Sequence, residues 1–458
     1  MGESVRAVMA VAGDTIAAGD AYALNSPYHG GTHLPDITVV SPVHHPQDRS
    51  LLGWVASRGH HADVGGISPG SMPAASRRVE QEGILLEPAV IVRDGRLLEA
   101  ELRAVLNSGP YPARNPDQNL ADLKAQLAAN RKGADELLKL AERHGRAAVA
   151  AYMDRVQAYA EHCVRRLIPK LRAGEFCCTM DNGSSIQVRI SPDPATASAV
   201  VDFTGTSAQT ADNFNAPPAV CRAAVLYVLS TLIGEDIPLN DGFLRPITLM
   251  LPEGSLLAPV FPAATVAGNV ETSQVITDCL YGALGVLAAS QGTMNNLSFG
   301  DERLQYYETI AGGAGAGPGF AGACAVQTHM TNSRLTDPEV LEWRFPVRLE
   351  QFGVRAGSGG GGRWRGGDGV VRKLLFLKPM AASILSNRRT TRPHGLAGGD
   401  PGEAGLNQVQ RGDGNWETLP ATVQLELEAG DRLLIATPGG GGWGSDSVTT
   451  PAAETTAG

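Results

Sequence analysis

The spacing of apolar positions changes along the chain, and the changes divide it into regions. Residues 2–8, GESVRAV, read as a helix. Short apolar runs then follow to about residue 115, separated by Gly, Pro and Asp, the punctuation of strands and turns. The run at 51–56 is apolar without a break, the pattern of a buried strand. From Asn119 the period lengthens: Leu120, Leu123 and Leu127, then Leu137, Leu138 and Leu140, then Ala148, Tyr152, Val156 and Tyr159 recur at helical spacing. Gly133, Gly145 and Pro169 punctuate this stretch, which predicts a helical hairpin packed on the preceding region or on a partner subunit. Residues 185–204 alternate apolar and polar as paired strands with a turn at Asp193 and Pro194, and 220–233 and 273–289 read as buried helices. Beyond Glu342 the chain turns to glycine and short strands, at 370–377, 381–385, 423–427 and 432–437.

These patterns predict a mixed α/β (α+β), multi-domain fold. Residues 1–115 form a domain of site-bearing loops, 116–175 the helical hairpin, 176–340 an α/β middle domain and 341–445 a β-rich closing domain. Residues 446–458 have no apolar pattern and are expected to be mobile.

Charge narrows the function classes. Lys and Arg number 38 against 47 acidic residues, a net charge of −9, with no basic run carrying interleaved aromatics. That argues against a nucleic-acid or anionic-membrane partner, since binding to phosphates is driven by clustered cations. The longest apolar stretches fall well short of the roughly 18 residues that span a bilayer, and the first residues lack a signal-peptide layout, so a cytoplasmic location is expected. The six cysteines contain no C-x-x-C pair and read as reduced, with Cys221 and Cys279 acting as small hydrophobes in apolar helices.

Chemistry concentrates in two short stretches. HGGTHLPD at 29–36 and SRGHHADVGG at 57–66 hold four of the ten histidines, together with Asp36 and Asp63. Neutral imidazole with carboxylate suits a divalent cation, and the same groups serve as acid and base near neutral pH. His33 and Asp36 lie on a Gly/Pro-punctuated loop, while His60, His61 and Asp63 follow the strand at 51–56. In an extended segment adjacent side chains point to opposite sides, so only one of His60 and His61 faces a metal held by His33 and Asp36. The alternative is that these histidines cap turns and donate to carbonyls. Three glycine-rich runs, AGGAGAGPG, GSGGGGRWRGGDG and TPGGGGWG, lack the lysine of a phosphate-binding P-loop; they make either tight turns or an anion cradle.

The stretches NSPYHGGTHLPDITVVSPV and VASRGHHADVGGISPGSMP closely resemble the hydantoinase B and 5-oxoprolinase family. The likeness continues through DLKAQLAANRKG, DFTGTS, NAPPAV, GNVETSQ, YETIAGGAGAGPG, HMTNSRLTDPEVLE, GSGGGGRWRGGDG and TPGGGGWG. TDPE at 336–339 and the GHHAD wording are more similar to 5-oxoprolinases than to acetone carboxylase subunits. The resemblance implies ATP-dependent attack on a cyclic amide. A separate hydantoinase A-like subunit binds ATP-Mg and phosphorylates the lactam oxygen, and the B-type half completes ring opening in a hetero-oligomer.

Carried onto this sequence, the family's metal motif falls on His33, Asp36 and the His60/His61 pair, with Asp63 as orienter or base; His29 occupies a position that the pattern leaves open. The motifs further imply a catalytic His329 and substrate contacts at Asn269 and Glu271; the glycine loop with Gly312 and Gly313, leading towards Asn332, offers backbone donors to a substrate or phosphate, and Arg334 either pairs a substrate carboxylate or makes a surface ion pair. Two imidazoles with one or two carboxylates accommodate zinc, manganese or iron, and magnesium only reluctantly, so the donor set does not identify the cation. Alternatives are a hydantoin or N-methylhydantoin amidohydrolase, a ketone carboxylase subunit, or a non-catalytic scaffold. Family members usually carry a further segment ahead of the point corresponding to Met1, so a truncated start is expected here.

Overall fold

The structure, a computed structural model, describes residues 1–13 and 16–445. The tail expected at 446–458 lies outside the described residues. Among the described residues, seven α-helices and four sheets make a mixed α/β fold, and no helix is long and apolar enough to cross a membrane.

The first sheet is antiparallel throughout and contains Leu51–His60, Asp36–His44, Ala21–Leu24, Ala89–Arg93 and Arg96–Leu97, in that order. Its long strand Leu51–His60 is sandwiched, because side chains alternate across a strand. One face meets the helix Pro116–His144: Val55 packs against Gly133, the Ser57 hydroxyl donates to the Gln126 carbonyl, and Gly59 leaves room for the Gln126 side chain. On the other face Trp54 and Ala56 pack beside Val8 and Ala12 of the helix Gly2–Ala12, and the Arg58 guanidinium donates to Thr38 and Ser4.

The helix Pro116–His144 starts where the Asn115 side chain accepts from the Gln118 N–H and Pro116 opens the first turn. Its buried stripe carries amides as well as leucines. Asn119 donates to the Asp63 carbonyl, Gln126 to Ile37 and Ser57, and Asn130 to Val39, so polar backbone under the helix is paired rather than orphaned. Gly145, at φ 83°, turns the chain into Arg146–Leu167 and completes the hairpin.

The middle of the chain builds the largest core. The helices Pro218–Ile233 and Ser273–Leu284 pack with the sheet formed by Gly174–Thr179, Ser185–Asp193, Ser198–Asp202 and Ile247–Met250. Every residue of Ser273–Leu284 is buried, Cys279 and the polar Gln274, Thr277 and Asp278 among them.

Two further sheets close the molecule. One joins Gln305–Glu308, Asn296–Gly300, Met380–Leu385 and Thr422–Leu427; the other joins Val347–Val354, Val370–Phe376, Arg432–Ala436, Leu406–Gln410 and Trp416–Leu419. The first of these draws strands from both sides of residue 340. The β-rich region therefore includes a hairpin from the segment read as middle domain. Arg372 and Glu308 link the two sheets through a buried double hydrogen bond of 2.7 and 2.8 Å.

The glycine-rich runs are neither simple turns nor open cradles. They lie against one another, and their amides pair across the runs: Gly313 with Pro438, Gly360 with Gly440, Gly367 with Ala314 and Gly440 with Gly367. A Cβ on Gly440 would lie 1.9 Å from the Ala314 carbonyl oxygen, and one on Gly313 would lie 2.0 Å from that of Gly367. Only glycine lets these backbones approach so closely.

Candidate metal centre and pocket

Cross-strand register creates the site. Asp36 is the partner of His60 in the pairing of Asp36–His44 with Leu51–His60, and directly opposed residues present their side chains on the same face. His33 returns to them through the turn in which the Asp36 N–H donates to the His33 carbonyl. The His33 Nδ1 lies 3.3 Å from Asp36 Oδ2 and the His60 Nδ1 3.1 Å from Asp36 Oδ1. The two imidazoles sit 5.2 Å apart, and Thr32 donates to Asp36. One ligand atom from each of His33, Asp36 and His60 lies within 4.8 Å of the others.

The donor set suits a divalent cation. Burial pushes the His33 pKa down, against the pull of Asp36, which favours the neutral ring a metal requires. Burial also works to raise the Asp36 pKa, but His33 and His60 outweigh it and hold the carboxyl well below its usual range. A His33 ring favoured in its neutral form and an ionised Asp36 thus meet the His60 imidazole, a donor set that fits a divalent cation.

The group opens into a pocket of about 440 Å³. Asn269 also lines it, donating to His33 Nδ1 at 2.9 Å from the π-helical turn Gly268–Thr272. Tyr307 stacks on His60 with ring centroids 5.2 Å apart, and Asn332 and Arg334 lie on the exposed side. Among the described residues, Arg334 has no ion-pair partner.

Other residues singled out from the sequence are placed elsewhere. His61, one position past His60, faces the helix: it accepts from Asn119 at Nδ1 and meets Gln126 at Nε2, so the pair divides as the alternation of a strand requires. Asp63 spends its oxygens on the N–H groups of Gly65, Gly70 and Arg114 and on the Arg114 guanidinium, holding a loop. His29 pairs with Glu87. His329, in the left-handed region at φ 48°, turns its ring toward Asp278 and Tyr227, away from the pocket. Glu271 is fully buried beneath the pocket, where it accepts from the Met294 N–H and Asn296. Gly312 and Gly313 use their N–H groups on Val326 and Pro438, within the glycine packing. Sequence reasoning missed Tyr307, which stood in a quoted motif but had no local partner to mark its role.

The fold and the site together define a mixed α/β protein with a His/Asp/His group in a pocket that Asn269, Tyr307, Asn332 and Arg334 also line. A profile of the hydantoinase B/oxoprolinase family matches residues 1–446, and the chain belongs to that family. It is 45% identical to a 5-oxoprolinase of Dictyostelium discoideum over 94% of this chain and 34% of that protein. It is 44% identical to 5-oxoprolinase 1 of Arabidopsis thaliana over 97% and 37%. The chain therefore spans about a third of the length of these curated relatives. An ATP-dependent caprolactamase from Pseudomonas jessenii shares the fold with a TM-score of 0.82 at 24% identity, over 96% of this chain and 80% of that one. A nucleotide-free acetone carboxylase does so with a TM-score of 0.86 at 16% identity, over 97% and 68%.

Proposed function

We propose that this chain is the B-type part of an ATP-dependent 5-oxoprolinase, which hydrolyses the activated lactam of 5-oxo-L-proline to L-glutamate with an A-type, ATP-binding partner in the cytoplasm. The convergence of His33, Asp36 and His60 on a pocket rimmed by Arg334 carries this reading, together with relatives named 5-oxoprolinase.

An unstrained lactam is a poor electrophile because its nitrogen feeds electron density into the carbonyl. Transfer of the terminal phosphoryl group of ATP to the carbonyl oxygen, at the partner, removes that resistance; addition of water to the carbon, cleavage of the ring C–N bond to the free amine and loss of inorganic phosphate then give the open-chain carboxylate. His33, Asp36 and His60 would hold a divalent cation of the zinc, manganese or iron type, less readily magnesium, which when bound would supply Lewis acidity and lower the pKa of water. Arg334 offers a planar fork to the substrate carboxylate, and Asn332 adds an amide beside it. Asn269 keeps the His33 ring aimed at Asp36.

The test is reconstitution with an A-type partner, ATP-Mg and 5-oxoproline. Glutamate is released, and His33→Ala or Asp36→Ala abolishes release without changing the circular dichroism spectrum. Unchanged release in those variants would favour a scaffold role. Turnover of a hydantoin or a ketone in place of 5-oxoproline would reassign the substrate.

A further inference from the structure

One short turn touches both histidines of the candidate centre, by two different routes. From the five-residue π-helical turn Gly268–Thr272, Asn269 donates directly to His33 Nδ1. Two positions on, Glu271 Oε1 accepts from Asn296 Nδ2 at 2.7 Å. The Asn296 Oδ1 in turn accepts from the Tyr307 hydroxyl at 2.7 Å, and the Tyr307 ring stacks on His60 at an interplanar angle of 23°. Asn296 and Tyr307 belong to the paired strands Asn296–Gly300 and Gln305–Glu308, whose register is continuous. Asn296 also donates to the Leu385 carbonyl, so its amide has a single orientation: oxygen toward Tyr307, nitrogen toward Glu271 and Leu385.

The chain has a direction. A tyrosine hydroxyl can serve the Asn296 oxygen as donor, an asparagine amide can serve the Glu271 carboxyl, and no member is free to rotate without breaking a buried hydrogen bond. The far end of this rigid chain is an aromatic plane. The His60 side chain is 32% exposed and therefore loosely held on its open side; Tyr307 supplies the surface against which it lies flat with Nδ1 directed at Asp36.

We propose that Glu271, Asn296 and Tyr307 are positioning residues that fix the ring orientation of His60, so that the turn Gly268–Thr272 sets both imidazoles of the centre. This rests on the reading of His33, Asp36 and His60 as metal ligands. It changes the role of Glu271 from substrate contact to buried anchor. Partners that orient ligating side chains typically contribute roughly tenfold to a hundredfold in metal affinity.

The test uses the whole chain and Mn²⁺ or Zn²⁺ alone, titrated by calorimetry, with the His60 ring signals read by NMR in the metal-free protein. Tyr307→Ala weakens metal binding about tenfold or more and removes the upfield ring-current shift of the His60 protons. Tyr307→Phe keeps the ring but cuts its hydrogen bond to Asn296, and it weakens metal binding severalfold with a reduced ring-current shift; wild-type values of both would overturn the part played by Asn296 and Glu271. Glu271→Gln, which retains an acceptor for Asn296, leaves the shift in place. Identical His60 signals in wild type and Tyr307→Ala would overturn the positioning role, with or without metal. A wild-type chain that binds no metal but shows the shift would instead overturn the metal reading and leave the positioning of His60 standing.

Discussion

His60 and His61 are neighbours in sequence and opposites in surroundings. His61 is buried under the helix Pro116–His144, between an amide that donates to one ring nitrogen and an amide oxygen that meets the other. Its polar atoms are matched, and nothing more is needed. His60 lies on the other face, its Nδ1 directed at an aspartate that a second histidine also approaches. There both Nδ1 atoms turn to one carboxylate, and the Asn269 amide donates to His33 Nδ1 as well. The contrast teaches that a histidine's role is set by the complementarity of what its nitrogens face, and strand alternation alone separates the two cases.

Substitution on each face breaks the comparison in a different way. The largest effect falls on the open face: Asp36→Ala removes the carboxylate shared by both imidazoles and is expected to abolish metal binding, read as the loss of any calorimetric signal, at unchanged circular dichroism. On the closed face, His61→Ala strands the Asn119 and Gln126 amides and costs about 2 kcal/mol of stability, read by denaturant unfolding, while metal binding persists. Equal losses of metal binding in the two variants would erase the distinction.

A smaller effect belongs to the shell of the open face. Asn269→Ala frees the His33 ring and is expected to weaken metal binding roughly tenfold, measured by the same titration. A value equal to wild type would show that burial alone orients His33.

The smallest effect is a change of slope with pH. Burial pushes the His61 pKa below its ordinary 6.5, against the hydrogen bond its ring makes to the Gln126 amide oxygen. A base with a depressed folded pKa contributes stability that is complete above the unfolded value, and that contribution is lost as pH falls through the folded value, because the unfolded chain binds the proton first. His61→Asn, having no proton to gain, is expected to flatten the fall in melting temperature below pH 6.5. His33 shares the same direction of shift, so part of the slope remains.

Much of this was readable in the sequence where the information is local. The leucine spacing from Leu120 onward marked the hairpin, and the polar breaks marked Ser185–Asp193 and Ser198–Asp202. His33 and Asp36 share one turn and His60 ends the adjacent strand, so the three candidate ligands lay within two short motifs. What was hidden is long-range. Tyr307 reaches His60 only because the sheet containing Gln305–Glu308 packs beside the first sheet, and no spacing rule connects them. The glycine runs resembled anion cradles because a glycine that admits a ligand looks the same in sequence as one that admits another backbone. Only the positions of Ala314, Gly367 and Gly440 distinguish the two. The strands Asn296–Gly300 and Gln305–Glu308 escaped because they are short and the first of them partners with Met380–Leu385, far along the chain.

The central claim is that the open face of the strand Leu51–His60 holds a divalent cation and the closed face does not. The direct measurement is elemental analysis of the purified chain after saturation with Mn²⁺ or Zn²⁺ and gel filtration, for wild type, Asp36→Ala and His61→Asn. One metal per chain in wild type and His61→Asn, with none in Asp36→Ala, is the predicted result. No metal in wild type, or metal retained in Asp36→Ala, would contradict it.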